Sequence, residues 1–306
     1  MTVGIVAHCR GLVGARARSL YLWLTRRMER IGVLPDIVTL DAPGFWGVNY
    51  KTFERVRYRI DQYDFTTCRG LILTRRTVDW TSRHQHHWVT TAAIGHNPEK
   101  ETVDHTHWLI TPIDAGLGFA EAVRHLTTYA QLAVDHYGYL FAMPREYGPE
   151  CHYMGCSGYE SFTNPEEAEN VGWWGSYQSA IPNQAMLRNV YPVNFLRRGL
   201  LELPVAGRSL GQWIQKDDSR GTLEPLTRTV WQWRVSPDKI PAVREALFRE
   251  GVLFYYRFVQ DWEPDNPWKR DFSKPFVPRE PIPEIFRATY RHLTDYFPSD
   301  ALDAVQ

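Results

Sequence analysis

The order of apolar and polar side chains divides this chain into short elements whose period switches between two and 3.6 residues. Residues 3–7 read as a short buried strand. Residues 19–31 read as a helix: Leu20, Leu24, Met28 and Ile31 fall on one stripe, while Arg26, Arg27 and Arg30 lie off it. A second helix is predicted over 50–60, with Phe53, Val56 and Ile60 inward and Arg55 and Arg59 outward. Strands are predicted over 70–75, 88–94 and 107–113, the last two joined by the turn-rich HNPEKETVD and therefore read as an antiparallel pair. A long helix is expected over 119–137, since Phe119, Ala122, Leu126, Tyr129 and Ala133 share a face, with Asp114 as a candidate cap.

Residues 143–186 show little periodicity and many Gly, Pro, Asn and Glu, which marks either a functional loop region or short elements without a pattern. Beyond them, 227–235 alternates with Trp231, Trp233 and Val235 on one face. Ser236 and Pro237 then suit a helix start, Ile240, Val243 and Leu247 its buried stripe, and Gly251 its end. A strand over 252–258 would complete a β–α–β unit. A Pro-rich stretch over 262–284 is expected to wrap the surface before a last helix over 285–297.

The expected fold is therefore α+β (mixed α/β): an antiparallel-rich sheet with helices on one face. The order permits two ferredoxin-like, split β–α–β subdomains on a continuous sheet. The boundaries are an N-terminal subdomain 1–142, the irregular region 143–186 and a C-terminal subdomain 187–306.

Bulk properties narrow the function classes. The 306 residues carry 35 Lys/Arg and 35 Asp/Glu, so net charge argues against a dominant nucleic-acid or membrane-surface role. The signs are unevenly placed: residues 1–59 hold ten basic and four acidic side chains. A two-signed molecule suits a protein partner or self-association, although the basic end is also compatible with a phosphate backbone or a solvated helix face. Twelve Trp and 16 Tyr are many for this length, and such residues serve either as core units or as anchors at binding surfaces. Four cysteines without a CxxC pair point to a reducing cytoplasm. No secretory leader and no apolar run long enough for a membrane span is expected.

Candidate chemistry is sparse. Nine of the 11 histidines lie between His84 and His152. With a turn near residue 99, His107 would pair with Ala92 and His105 with Ile94, which leaves His86 about 20 Å further along its strand. The pairs His84/His86 and His105/His107 then cannot share an ion. His84 and His86 would instead approach Asp114, which makes His84, His86 and Asp114 the candidate metal set, for zinc or another divalent ion, of an alternative metal-dependent hydrolase or nucleic-acid-processing activity. CHYMGC at 151–156 lacks the second ligand pair that zinc sites need. Phosphate-loop, HExxH and GxSxG patterns are absent from the sequence, as is GxGxxG after a strand. Glu160, Glu166, Glu167 and Glu169 lie beside Trp173 and Trp174; acid next to paired Trp forms either an interaction loop for a basic partner or a solvated loop with two packing anchors.

The layout LRNVYPVNFL, then GTLEPLTRTVWQWRV, then SPDKIPAVREALFREGV resembles the type VI secretion immunity-type proteins of bacteria. The N-terminal strand and the SLYLWLTRRMERI helix are similar to those of other polymorphic-toxin immunity proteins. The resemblance lies in the order of elements over about half the chain. It implies a non-enzymatic protein that neutralises a toxin by binding it, without a cofactor. The alternative without such a partner is a structural component assembled as a homo-oligomer.

Overall fold

The computed structural model describes residues 1–9, 12–45, 51–77, 88–95, 104–143, 166, 169–170, 173–174, 186–260 and 265–287. Their centre is one ten-stranded antiparallel sheet. In chain order the main elements are β1 (Thr2–Cys9), α1 (Gly14–Arg30), β2 (Ile37–Asp41), β3 (Lys51–Thr52), α2 (Phe53–Asp61), β4 (Gly70–Arg76), β5 (Trp88–Gly95), β6 (Asp104–Ile110), α3 (Phe119–Ala133) and β7 (Tyr137–Met143). There follow β8 (Val193–Arg197), α4 (Arg198–Leu201), β9 (Pro204–Val205), β10 (Arg208–Ser209), α5 (Leu210–Gln215), β11 (Thr222–Pro225), β12 (Val230–Arg234), α6 (Ile240–Arg249) and α7 (Glu284–Arg287). The sheet order is β11-β12-β8-β7-β1-β6-β5-β4-β2-β3, and β9 and β10 form a separate hairpin.

Central strand β1 explains the layering. Side chains alternate across a strand. Val3, Ile5, Ala7 and Cys9 enter one apolar core, formed with α1, α2 and α3. Val6 enters another, formed with Tyr137, Tyr139, Phe141 and the C-terminal segment that includes α6. All eight β1 residues are therefore buried. Strands β6 and β7 flank β1 and are joined by α3, which is the split β–α–β arrangement. Strand β8 continues the sheet beyond β7, Tyr137 pairing with Leu196 and Leu140 with Val193.

Several expectations are corrected. The helix expected to reach 137 stops at Ala133, because Val134 is extended and Tyr137 opens β7, buried along its whole length. Its cap is Gly118 rather than Asp114, which lies in the turn after β6. The β5–β6 register is shifted by one: His107 pairs with Ala93 and His105 with Gly95. The expected strand over 252–258 is absent. Leu253 makes a single parallel bridge to Leu187, and Tyr256–Phe258 closes into a 3₁₀ turn. The start of α6 is later than expected: Pro237 opens a 3₁₀ turn, and α6 proper begins at Ile240, since Pro241 has no N–H to give the carbonyl four residues back at Pro237.

Gly251 ends α6 as expected, with φ of +69°. Phe276 of the Pro-rich stretch lies directly over it, so a Cβ there would stand 2.5 Å from the ring. The Pro-rich stretch, expected only to wrap the surface, thus lies against the end of α6, where Phe276 also meets Phe248. The last helix is described only over Glu284–Arg287; the remainder of the expected 285–297 lies outside the described residues.

Candidate partner-binding site

Four of the acid-and-tryptophan residues are described, together with Asn170 between them. Glu169, Asn170, Trp173 and Trp174 have helical backbone, which places Glu169 and Trp173 one turn apart, and the Trp173 indole donates to Glu169 Oε2 at 2.9 Å. Asn170 is buried and fixes this segment to the C-terminal half. Its amide nitrogen donates to the Phe254 carbonyl at 3.3 Å, and its oxygen accepts from the Tyr256 N–H at 2.8 Å. Trp174 is only 2% exposed. Its ring meets Phe254 edge-on at 5.2 Å and sits 6.1 Å from His8 and 6.5 Å from Tyr137. The two tryptophans thus differ: Trp174 is a core anchor, and Trp173 is half-buried against the same core with its polar edge outward. Glu160 and Glu167 lie outside the described residues.

Glu166 opens onto a groove of about 920 Å³ beneath the Pro-rich stretch. The Tyr255 hydroxyl donates to Glu166 Oε1 at 3.0 Å. Burial first, and then this carboxylate, push the Tyr255 hydroxyl well above its ordinary range and keep it protonated as the donor. The groove floor is aromatic, with Tyr255 and Trp268 5.5 Å apart and edge-on. Arg270 lies 4.9 Å from the centroids of both Phe272 and Phe276 while donating to the Gly251 carbonyl at 2.9 Å. Both signs line the groove: Arg257, Lys274 and Arg279 together with Glu166, Asp271 and Glu280. The Pro-rich stretch announces itself in sequence through its Trp, Phe and Arg residues, but nothing in its spacing says that it closes over Tyr255, because that contact depends on the turn at 256–258.

A second polar cluster is buried between sheet and C-terminal segment. Arg188 is 2% exposed and Arg244 is 1% exposed. Arg188 lies 5.0 Å from the Tyr139 centroid and donates to the Tyr139 hydroxyl. Tyr139 in turn stacks on Tyr191 at 3.9 Å. Arg244 donates twice to the Val190 carbonyl, at 3.2 and 2.9 Å. These contacts lock Met186–Tyr191 onto β7 and α6. This cation–tyrosine layer leaves no mark in the apolar periodicity, because two of its buried members are charged.

His84 and His86 of the candidate metal set, and CHYMGC, lie outside the described residues. Asp114 sits in the turn over 111–116, its N–H directed at the Thr111 carbonyl at 3.2 Å. Among the described residues there is no grouping of three His, Cys, Asp or Glu that could hold a metal ion. Cys9 and Cys68 are buried; burial pushes the Cys68 thiol up to about 11, which keeps it protonated at neutral pH. Among the described residues no helix is long and apolar enough to cross a membrane.

No protein-family profile matches the chain, and no curated protein matches it in sequence. In fold, it is similar to a solved structure of the Pseudomonas aeruginosa T6SS protein PA0821. The match covers 99% of this chain and 81% of that one, at 10% identity and a TM-score of 0.53. The two chains share an architecture over nearly the whole of this one.

Proposed function

We propose that this chain is a type VI secretion-associated protein that works by binding another protein, as an immunity or defence component. The observation that carries the reading is the open groove beside Glu166, with Tyr255 and Trp268 in its floor and charges of both signs around it. Large aromatics set in a polar rim are the composition of surfaces that hold protein partners. The likeness in fold to a T6SS protein supplies the setting. The order of elements in the sequence agrees with that setting.

The test is a co-culture. A strain lacking this gene is mixed with its secretion-active parent and, separately, with a secretion-null parent. Selective killing of the deletion strain by the active parent, reversed by a plasmid copy, is the expected result. Equal survival against both parents overturns the reading.

A further inference from the structure

We propose that the groove between α1 and α3 is the docking site for an acidic amphipathic helix of a protein partner; this deepens the partner-binding reading above. The two helices run side by side in opposite directions. Arg16 in the first turn of α1 pairs with Asp135 just beyond the end of α3, and Arg27 near the far end of α1 donates to His125 midway along α3. Between them lies a trough of about 530 Å³. Its apolar wall includes Leu22 and Trp23 of α1 and the exposed Leu132 of α3.

Among the described residues the charge on this trough has one sign: Arg16, Arg26, Arg27 and Arg30 all line it, and no carboxylate does. Two of the four are engaged inside the fold, as just described. Arg26 and Arg30 are exposed, and among the described residues neither makes a hydrogen bond or ion pair. They stand one helical turn apart, about 6 Å along the axis. The surplus of positive charge in the first 59 residues is thus partly gathered on one rim of one groove.

That geometry specifies the occupant. An apolar strip bounded by cations matches a helix whose apolar stripe is flanked by carboxylates a turn apart, the helix-in-groove mode. Carboxylates at that spacing reach Arg26 and Arg30 as charge-assisted pairs. A phosphate backbone would use the arginines but gains nothing from leucine and tryptophan, and the chain's overall charge gives it no general attraction. The mixed-sign groove beside Glu166 has no such preference, so the two surfaces differ in what they select.

The experiment uses the full chain and two fluorescein-labelled synthetic helices roughly five turns long. They share the same leucine stripe and carry either Glu or Lys beside it, and a short DNA duplex is the third probe. Fluorescence anisotropy is expected to show binding of the Glu helix and not of the Lys helix. That binding should fall about tenfold or more in Arg26→Glu/Arg30→Glu and weaken as salt rises towards about 0.3 M. Both arginines are exposed, so the variant's urea midpoint should match the parent's. Leu132→Ser, also at an exposed position, should weaken the Glu helix without altering its salt dependence. Absence of binding by the Glu helix, equal binding by the double variant, or equally tight binding of the duplex overturns the proposal. The co-culture separates the two claims: a deletion strain that survives normally while the Glu helix binds removes the secretion reading and leaves the docking site, and the reverse pair of results does the opposite.

Discussion

Arg27 donates its Nε–H to Nδ1 of His125 across 2.9 Å, joining α1 to α3. An imidazole that accepts at Nδ1 must carry its proton on Nε2, so this bond exists only while His125 is neutral. Burial lowers the His125 pKa most, and the neighbouring Arg27 cation lowers it further. Protonation would therefore place two cations against each other beneath the basic groove.

The pH dependence follows. The folded-state pKa of His125 lies below the ordinary value of 6.5, so the unfolded chain takes up this proton first as pH falls. The stability owed to neutral His125 is present above about 6.5 and is lost as pH drops below that value, until the folded-state pKa is passed. Melting temperatures taken between pH 7.5 and pH 5 should fall less steeply for His125→Gln than for the parent chain. Parallel slopes would remove His125 from the acid sensitivity.

The two adjacent tryptophans should respond very differently to truncation. Trp174→Ala empties a site packed by Phe254, Tyr137 and His8 and should cost roughly 3–5 kcal/mol in urea unfolding. Trp173→Ala removes a half-buried ring and one hydrogen bond to Glu169 and should cost about 1 kcal/mol. Equal losses would contradict the anchor role of Trp174.

Glycine substitutions separate backbone strain from packing. Gly251 and Gly116 both have positive φ, +69° and +65°. A Cβ at Gly116 meets nothing within 4 Å, whereas at Gly251 it strikes Phe276. Gly116→Ala should cost about 1 kcal/mol, from conformation alone. Gly251→Ala should cost at least about twice that and should loosen the Pro-rich stretch, read as faster proteolysis near Phe276.

Arg188→Lys tests the buried cation–tyrosine layer. Lysine keeps the charge but loses the planar contact with Tyr139 and Tyr191, so a loss of about 2 kcal/mol is expected despite the nominal conservation. A chemical-denaturation midpoint unchanged from the parent would show that only the charge matters there.

Sequence periodicity by itself locates α1, α2, β4 and α6, because each presents one face to a core and the other to water or a more polar neighbour; it also finds the tryptophan strand β12 by its alternation, although Val230 enters one core and Trp233 the other. The same logic finds Gly251 and the arginines that stand off the α1 stripe. It fails at β7, where YGYLFAM is buried on both faces and a continuous apolar run carries no period, so the preceding helix is read too long. It also misses the short edge elements β2 and β3, which are fixed by pairing with β4 and with each other. Which residues meet across the fold is decided only in three dimensions. The layer of Arg188 on Tyr139 and the bond from Arg27 to His125 join positions far apart in the chain and depend on the sheet that brings them within reach, whereas the groove at Tyr255 is made by the turn at 256–258, the Pro-rich stretch and the distant Glu166.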